Sequence, residues 1–259
     1  MSSSQLTAWA RCVLCDLNER TPWHSFVPPA DMTPEQAYAL QGEVARLREA
    51  RGERVIGFKL GCTSRVIQEQ LGTREPILGR IFASGCFPDG SVLDHTRFAG
   101  LAIEGELAIR LARDLPCANL SDEVVNAAIE SVFPVIELHY YVLPGNGSPL
   151  TALIASGGMH AGLVFPVQET TCWGRIPEVG DLEVTINDRV VGRTAEPWTM
   201  GSPVASLRWL TARLARLDLH VRRGQIILTG SPLPLFPVAP GDRVTAEGRA
   251  LGRSSVSIV

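Results

Sequence analysis

Three carboxylates in two short stretches carry the chemistry of this chain. Glu104 and Glu106 sit in Ile103-Glu104-Gly105-Glu106-Leu107, and Glu137 sits in Val135-Ile136-Glu137-Leu138-His139. Side chains alternate along a strand, so Glu104 and Glu106 share one face while Ile103 and Leu107 take the other. Glutamate is disfavoured in strands, and two like charges side by side repel. The pair therefore reads either as a solvated strand face or as two arms of a cation site. Glu137 lies in the apolar run Phe133-Pro134-Val135-Ile136-Glu137-Leu138, where a lone carboxylate is costly without a partner. A third converging carboxylate favours the cation, and carboxylate-only ligation selects Mg2+ or Mn2+ over zinc.

Two further features belong with the carboxylates. Lys59, between Gly57-Phe58 and Leu60-Gly61, is either desolvated in a cleft or a strand-end lysine reaching solvent. Leu228-Thr229-Gly230-Ser231-Pro232 is a strand running into a glycine turn. Its amides and hydroxyls could hold a substrate carboxylate, or it is an ordinary strand-ending turn.

The elements that must position these residues are legible in outline. Thr33-Pro34-Glu35-Gln36 starts a helix, with Thr33 as N-cap and Gln36 at the capping-box position, and the apolar stripe Ala37, Leu40, Val44 and Leu47 runs to Gly52. Val55–Gly61 reads as a strand, and Ser64 caps a short helix through Leu71. From residue 76 strand signals dominate, interrupted by helices expected over Ser121–Val132, with Val124, Val125, Ala128 and Ile129 packing inward, and from the Ser202 N-cap to about Leu217. Leu182-Val184-Ile186 alternation followed by Asn187-Asp188-Arg189 predicts a hairpin. Residues 225–229, 242–246 and 255–258 are further strands. The reading is an α+β fold: a mainly helical N-terminal lobe over residues 1–75 and a β-rich catalytic core over 76–259.

Bulk properties exclude several classes. The 259 residues are 45% hydrophobic and 20% charged, as in ordinary globular proteins. A net charge of −3 with scattered basic residues argues against a nucleic-acid partner. No apolar run is long enough for a membrane span, and the first residues lack a signal-peptide pattern, so a cytoplasmic location is expected. The six cysteines form no compact framework and read as reduced thiols. Cys12-Val13-Leu14-Cys15 lacks a second pair, and Cys62 reads as a small buried residue. No G-x-S-x-G, P-loop, H-E-x-x-H or G-x-G-x-x-G motif is present.

Taken in order, the motifs resemble the fumarylacetoacetate hydrolase superfamily, in its 2-keto-4-pentenoate hydratase and 4-oxalocrotonate decarboxylase branch. Gln36-Ala37-Tyr38-Ala39-Leu40-Gln41 is similar to that branch's D-A-Y-A-I-Q helix, and Gly57-Phe58-Lys59-Leu60-Gly61-Cys62-Thr63-Ser64 to its G-x-K-[IV]-G-x-T-S segment. Gln70-Leu71-Gly72, Glu75-Pro76, Ile103–Ala108, Pro134–Glu137, Trp209-Leu210 and Leu228–Ser231 follow in the family's order. The resemblance implies a fold around a mixed, rolled β-sheet, Mg2+ or Mn2+ on Glu104, Glu106 and Glu137, and Lys59 in the active site. It also implies a 2-oxo or 2-hydroxydienoic acid substrate, oriented by Thr229, Gly230 and Ser231, and a homo-oligomer. A divalent ion chelated by such a substrate is a Lewis acid that stabilises an enolate.

The chain departs from the branch at two places. Gly157-Gly158 stands where many hydratases carry Asp-Asn, and Ile77-Leu78-Gly79 stands where many read Asp-Phe-Gly. Glu75 and His160 are the candidates to handle protons instead. The leading expectation is a metal-dependent hydro-lyase that hydrates a 2-hydroxydienoate or 2-oxo-alkenoate. The rivals are a 2-oxo acid decarboxylase on the same site, with Arg65, Arg74 or Arg80 holding the removable carboxylate, and a catalytically impaired homologue that binds metal and 2-oxo acid. C–C hydrolysis of an acylpyruvate is a further outcome, for which no lid His–Glu pair is evident.

Overall fold

The computed structural model describes residues 1–116, 120–142, 149–171, 182–194, 203–249 and 251–259. Helices α1 (Ser3–Glu19) and α2 (Pro34–Glu49) open the chain. Next come β1 (Val55–Gly61), α3 (Arg65–Gln70), β2 (Ile77–Phe82), β3 (Cys86–Pro88), β4 (Ser91–Leu93) and β5 (Leu101–Leu111). The middle holds α4 (Asp122–Asn126), β6 (Ile129–Tyr140), α5 (Pro149–Ala155), β7 (His160–Phe165) and β8 (Thr170–Thr171). A hairpin of β9 (Leu182–Ile186) and β10 (Arg189–Arg193) precedes α6 (Pro203–Ala215). The chain ends with β11 (Ile226–Leu228), β12 (Phe236–Pro237), β13 (Arg243–Gly248) and β14 (Gly252–Ile258). Ser202, expected to cap α6, lies outside the described residues.

Local chemistry explains where the helices begin. Thr33 and Gln36 form a reciprocal capping box, each side chain accepting the other's backbone N–H. Ser64 accepts from the Ile67 amide at 3.2 Å and starts α3.

One expected element is corrected. The helix read over Ser121–Val132 ends at Asn126, and Ile129–Val132 opens β6 instead. Val124, read as inward-facing, is 41% exposed. Pairing of Ile129 with Leu111 and of Val132 with Ile109 decides the matter: sheet contacts override the helical spacing of four apolar residues.

Two sheets result. The larger runs β2-β1-β11-β5-β6-β7-β3, with β12 added on β5 and β8 on β6. It is mixed, since β1 lies parallel to β11 and antiparallel to β2. Thus β1, from the N-terminal segment, is built into the main sheet. The smaller sheet runs β10-β9-β13-β14-β4. It packs on the β5–β6 pair through Ile103, Ile136, Leu138, Val184, Val244 and Ala246. A Cβ at Gly105 would overlap the Val184 side chain, so only glycine allows that approach. Alternation then puts Glu104 and Glu106 on the opposite face of β5.

Helix α2 holds the other side. The Leu78 amide donates to the Tyr38 hydroxyl at 3.2 Å. The Gln41 amide donates to the carbonyls of Leu78 (2.9 Å) and Ile154 (2.6 Å) and accepts from Arg80 at 2.7 Å. One glutamine ties α2 to both β2 and α5.

At the far end of β5, Arg110 donates to Glu169 through Nε at 2.7 Å and again through Nη2, and the Ser131 hydroxyl donates to Glu169 at 2.7 Å. Burial raises the Glu169 pKa, but these donors outweigh it and hold the carboxyl below its ordinary value. The native state therefore binds fewer protons than the unfolded chain. The stabilisation is complete above the ordinary glutamate range, about 4.3, and fades as pH falls through the depressed native value. Glu169→Gln should lower stability by about 1 kcal/mol at neutral pH. Urea melts at falling pH should show the variant converging on the parent; a constant gap would refute this account.

Candidate metal centre

The register of β5 against β6 builds the centre. Glu104 lies directly opposite Glu137, Glu106 opposite Val135, and Ala102 opposite His139. Residues two apart share a face, so Glu104, Glu106, Glu137 and His139 project together. Glu106 and Glu137 are fully buried, His139 is 3% exposed, and Glu104 forms the rim at 18%. One ligand atom each from Glu104, Glu137 and His139 falls within 4.8 Å of the others. Glu106 stands beside that group, with one oxygen bound by the Gly230 amide and the other unpartnered.

Lys59 enters from β1, where it pairs with Leu228 of β11. Its Nζ lies 3.1 Å from Glu137 Oε1 with only 3% of the side chain exposed, so of its two sequence readings the desolvated one holds. His160, at the start of β7, places Nδ1 2.8 Å from the same oxygen. Gly157 and Gly158 are both at positive φ; a Cβ on Gly157 would face Gly79 of β2, and one on Gly158 would stand 3.0 Å from Lys59 Nζ. The second of the two departures from the branch's Asp-Asn thus leaves that space to the Lys59 side chain.

The charges are strongly coupled. Burial works against the Lys59 ammonium, but Glu137, Glu104 and Glu106 outweigh it and push its pKa up to about 12. Burial would raise Glu137 too, yet Lys59 and His139 hold it well below the usual carboxylate range. Burial, reinforced by Glu137, holds Glu106 well above that range. For His139, burial is outweighed by Glu137 and Glu104, and the pKa is pushed up to about 9. Burial leads in lowering His160.

The Thr229-Gly230-Ser231 turn is tied to β5. Thr229 Oγ1 donates to the Leu107 carbonyl at 3.1 Å, and Ser231 Oγ to the Gly105 carbonyl at 2.9 Å. Gly230 has φ +101, and a Cβ there would overlap Thr63. Gly230→Ala should therefore displace the amide that orients Glu106. A loss of metal affinity of about 10–100-fold is expected, as for other groups that orient a ligand. Calorimetric titration with Mn2+ checks it, and unchanged affinity would refute that role.

Glu75 is not brought to the centre: it is 48% exposed and lies 3.7 Å from Arg213. Arg80 is turned toward Gln41, and Arg65 and Arg74 are exposed. Burial pushes the Cys62 thiol up, consistent with a packing role. Cys12, Cys15 and Cys86 are likewise free. His139 is the member that sequence reasoning missed. Its signal was plain: a histidine two residues beyond Glu137 must share that glutamate's face.

The donor set fits a divalent cation. One oxygen of Glu106, one of Glu137 and both ring nitrogens of His139 are buried without a hydrogen bond. Such atoms are costly unless something else satisfies them.

Fold and site together define a fumarylacetoacetate hydrolase-like protein, and the comparisons agree. The fumarylacetoacetate (FAA) hydrolase C-terminal family model matches residues 83–259, and the chain belongs to that family. It is 31% identical over 229 residues to a 2-hydroxyhexa-2,4-dienoate hydratase of Comamonas testosteroni, covering 87% of this chain and 86% of the relative. It is 28% identical over 238 residues to a 4-oxalocrotonate decarboxylase of Pseudomonas putida, covering 88% and 87%. The structure of 4-oxalocrotonate decarboxylase from Pseudomonas putida G7, complexed with magnesium and adipate, superposes with a TM-score of 0.89 at 25% identity, covering 100% and 99%. Among the described residues no helix is long and apolar enough to cross a membrane.

Proposed function

We propose that this chain is a divalent-metal-dependent hydro-lyase that hydrates a 2-hydroxydienoate or 2-oxo-alkenoate. The observation that carries it is the meeting of Glu104, Glu137 and the buried Lys59 at one point, with carboxylate oxygens left unpartnered. The hydratases and decarboxylases among the relatives support the substrate class. The magnesium complex of the structural neighbour supports Mg2+ or Mn2+.

Glu104, Glu106 and Glu137 would hold the ion. When bound, the ion supplies Lewis-acid polarisation of a 2-oxo acid. Lys59 presents a fixed positive charge and a proton at Nζ beside the oxygens that gain charge. His160 Nδ1 orients Glu137, and with Lys59 it takes over the proton handling for which Glu75 stands too far out. The buried walls of β5 and β6 keep bulk water from the charged groups. The Thr229-Gly230-Ser231 turn would orient the substrate through Glu106, since its hydroxyls and the Gly230 amide already donate to β5 and to that carboxylate. The reading carries with it a cytoplasmic homo-oligomer, as family members commonly assemble.

A decarboxylase on the same centre is the second reading, favoured by the superposition on 4-oxalocrotonate decarboxylase. Against it, Arg80 points to α2 while Arg65 and Arg74 are exposed, so none is fixed at the centre. The test supplies Mg2+- or Mn2+-loaded protein with 2-hydroxydienoates of varied tail length and, separately, with 4-oxalocrotonate. Loss of the conjugated absorbance without CO2 supports the hydratase. CO2 release from 4-oxalocrotonate alone supports the decarboxylase, and binding without turnover identifies an impaired homologue.

A further inference from the structure

Three carboxylates leave His139 without a task, yet it occupies the centre. The imidazole is 3% exposed, and its Nε2 lies 3.2 Å from Glu104 Oε2 and 3.4 Å from Glu137 Oε2. Neither ring nitrogen is in a hydrogen bond. Nδ1 has no partner, and Nε2 is aimed between two carboxylate oxygens at ion-pair distance without the geometry of a hydrogen bond. The position is fixed by the sheet, since His139 pairs with Ala102 on β5 and His160 on β7.

An ion seated between Glu104 and Glu137 falls within reach of this nitrogen, because one ligand atom from each of the three residues lies within 4.8 Å of the others. Metal–ligand bonds of about 2.0–2.2 Å bring ligand atoms to roughly 3–4 Å from one another. Ligation takes the neutral imidazole, so an ion in that place would displace the proton that Nε2 shares with the two carboxylates and release it to solvent.

We infer that His139 Nε2 is a nitrogen ligand of the divalent cation, beside Glu104 and Glu137, and that the centre therefore prefers first-row transition ions to Mg2+. The inference rests on the metal-dependent reading above and changes its donor set from oxygen alone to oxygen plus imidazole. Imidazole suits iron, nickel, copper and zinc, and affinity for a mixed nitrogen and oxygen site rises from manganese through cobalt to copper, whereas Mg2+ takes hard oxygen donors and keeps much of its water.

The test uses the full chain loaded with Mn2+ and read by electron spin-echo modulation. Directly bound nitrogen should modulate the echo, and the pattern should change when histidine is supplied with the heavy nitrogen isotope. It should disappear in His139→Gln and persist in His160→Gln. In parallel, His139→Gln should lose about tenfold or more in Co2+ affinity but less than about threefold in Mg2+ affinity. Mn2+ bound without nitrogen modulation, or equal losses for Co2+ and Mg2+, would overturn the inference and leave a carboxylate-only metal enzyme standing. Failure to bind Mn2+ at all would overturn both readings. Should His139→Gln fail to fold, the isotope experiment on the parent and on His160→Gln still decides.

Discussion

Lys59→Met should lower kcat by about a thousandfold in the metal-loaded protein, the scale of losing a positioned proton donor and fixed charge together. Methionine has similar length, so packing beneath Gly158 is retained while the charge is lost. The same change leaves Glu137 buried beside Glu104 and Glu106 with its closest cation gone. Removing one partner of a buried pair costs about 3–5 kcal/mol. That loss should show in the metal-free protein and shrink when Mn2+ is added, because the ion takes over the compensation. Steady-state kinetics and urea melts with and without chelator give both readings. A variant with full turnover would remove Lys59 from the chemistry, and one destabilised equally with and without metal would uncouple it from the carboxylates.

Glu137→Gln should abolish metal binding. This carboxylate is the junction of the site: Oε1 lies against Lys59 and His160, and Oε2 faces His139 without a hydrogen bond. The amide keeps the shape and removes the charge, so a rise in the Mn2+ Kd of more than about 100-fold is expected by calorimetry, the far end of what ligand-shell changes cost. The double variant Lys59→Met/Glu137→Gln removes both charges and should be more stable than the sum of the single losses implies, by about 1–3 kcal/mol. Mn2+ bound by Glu137→Gln within threefold of the parent would remove this glutamate from the ligand set; strict additivity would mean that the two residues do not interact.

Much of this centre was legible because strand alternation is strict. Two glutamates at i and i+2, and a third in an apolar run, had few ways to be satisfied; the register that sets Glu104 opposite Glu137 across β5–β6 comes from the fold. The α2 start was legible because a capping box is local chemistry. What stayed hidden depends on partners far along the chain. Ile129 and Val132 carry helical spacing, and only their pairing with β5 makes them strand. Glu75 and His160 looked equivalent as stand-ins, and the fold leaves one half-exposed beside the buried Arg213 and sends the other to Glu137. The double task of Gln41 could not be read from a helix motif, since its two carbonyl partners come from β2 and α5.

The order β2-β1-β11-β5 also governs how the molecule comes into being. Phe58 pairs with Ile227, so a strand made early must wait for one made late before it joins β5. Pairings of this kind pay loop-closure entropy before any contact rewards it, and they fold slowly. During synthesis Lys59 emerges long before Gly230, and until β11 slots between β1 and β5 the lysine and the glutamates belong to separate fragments. A chain stopped before residue 226 would carry every proposed metal ligand and still lack the strand that seats Lys59 and leads into the Gly230 turn. Birth of the catalytic centre is therefore a late event, and the half-made protein exposes strand edges that a cell must shield.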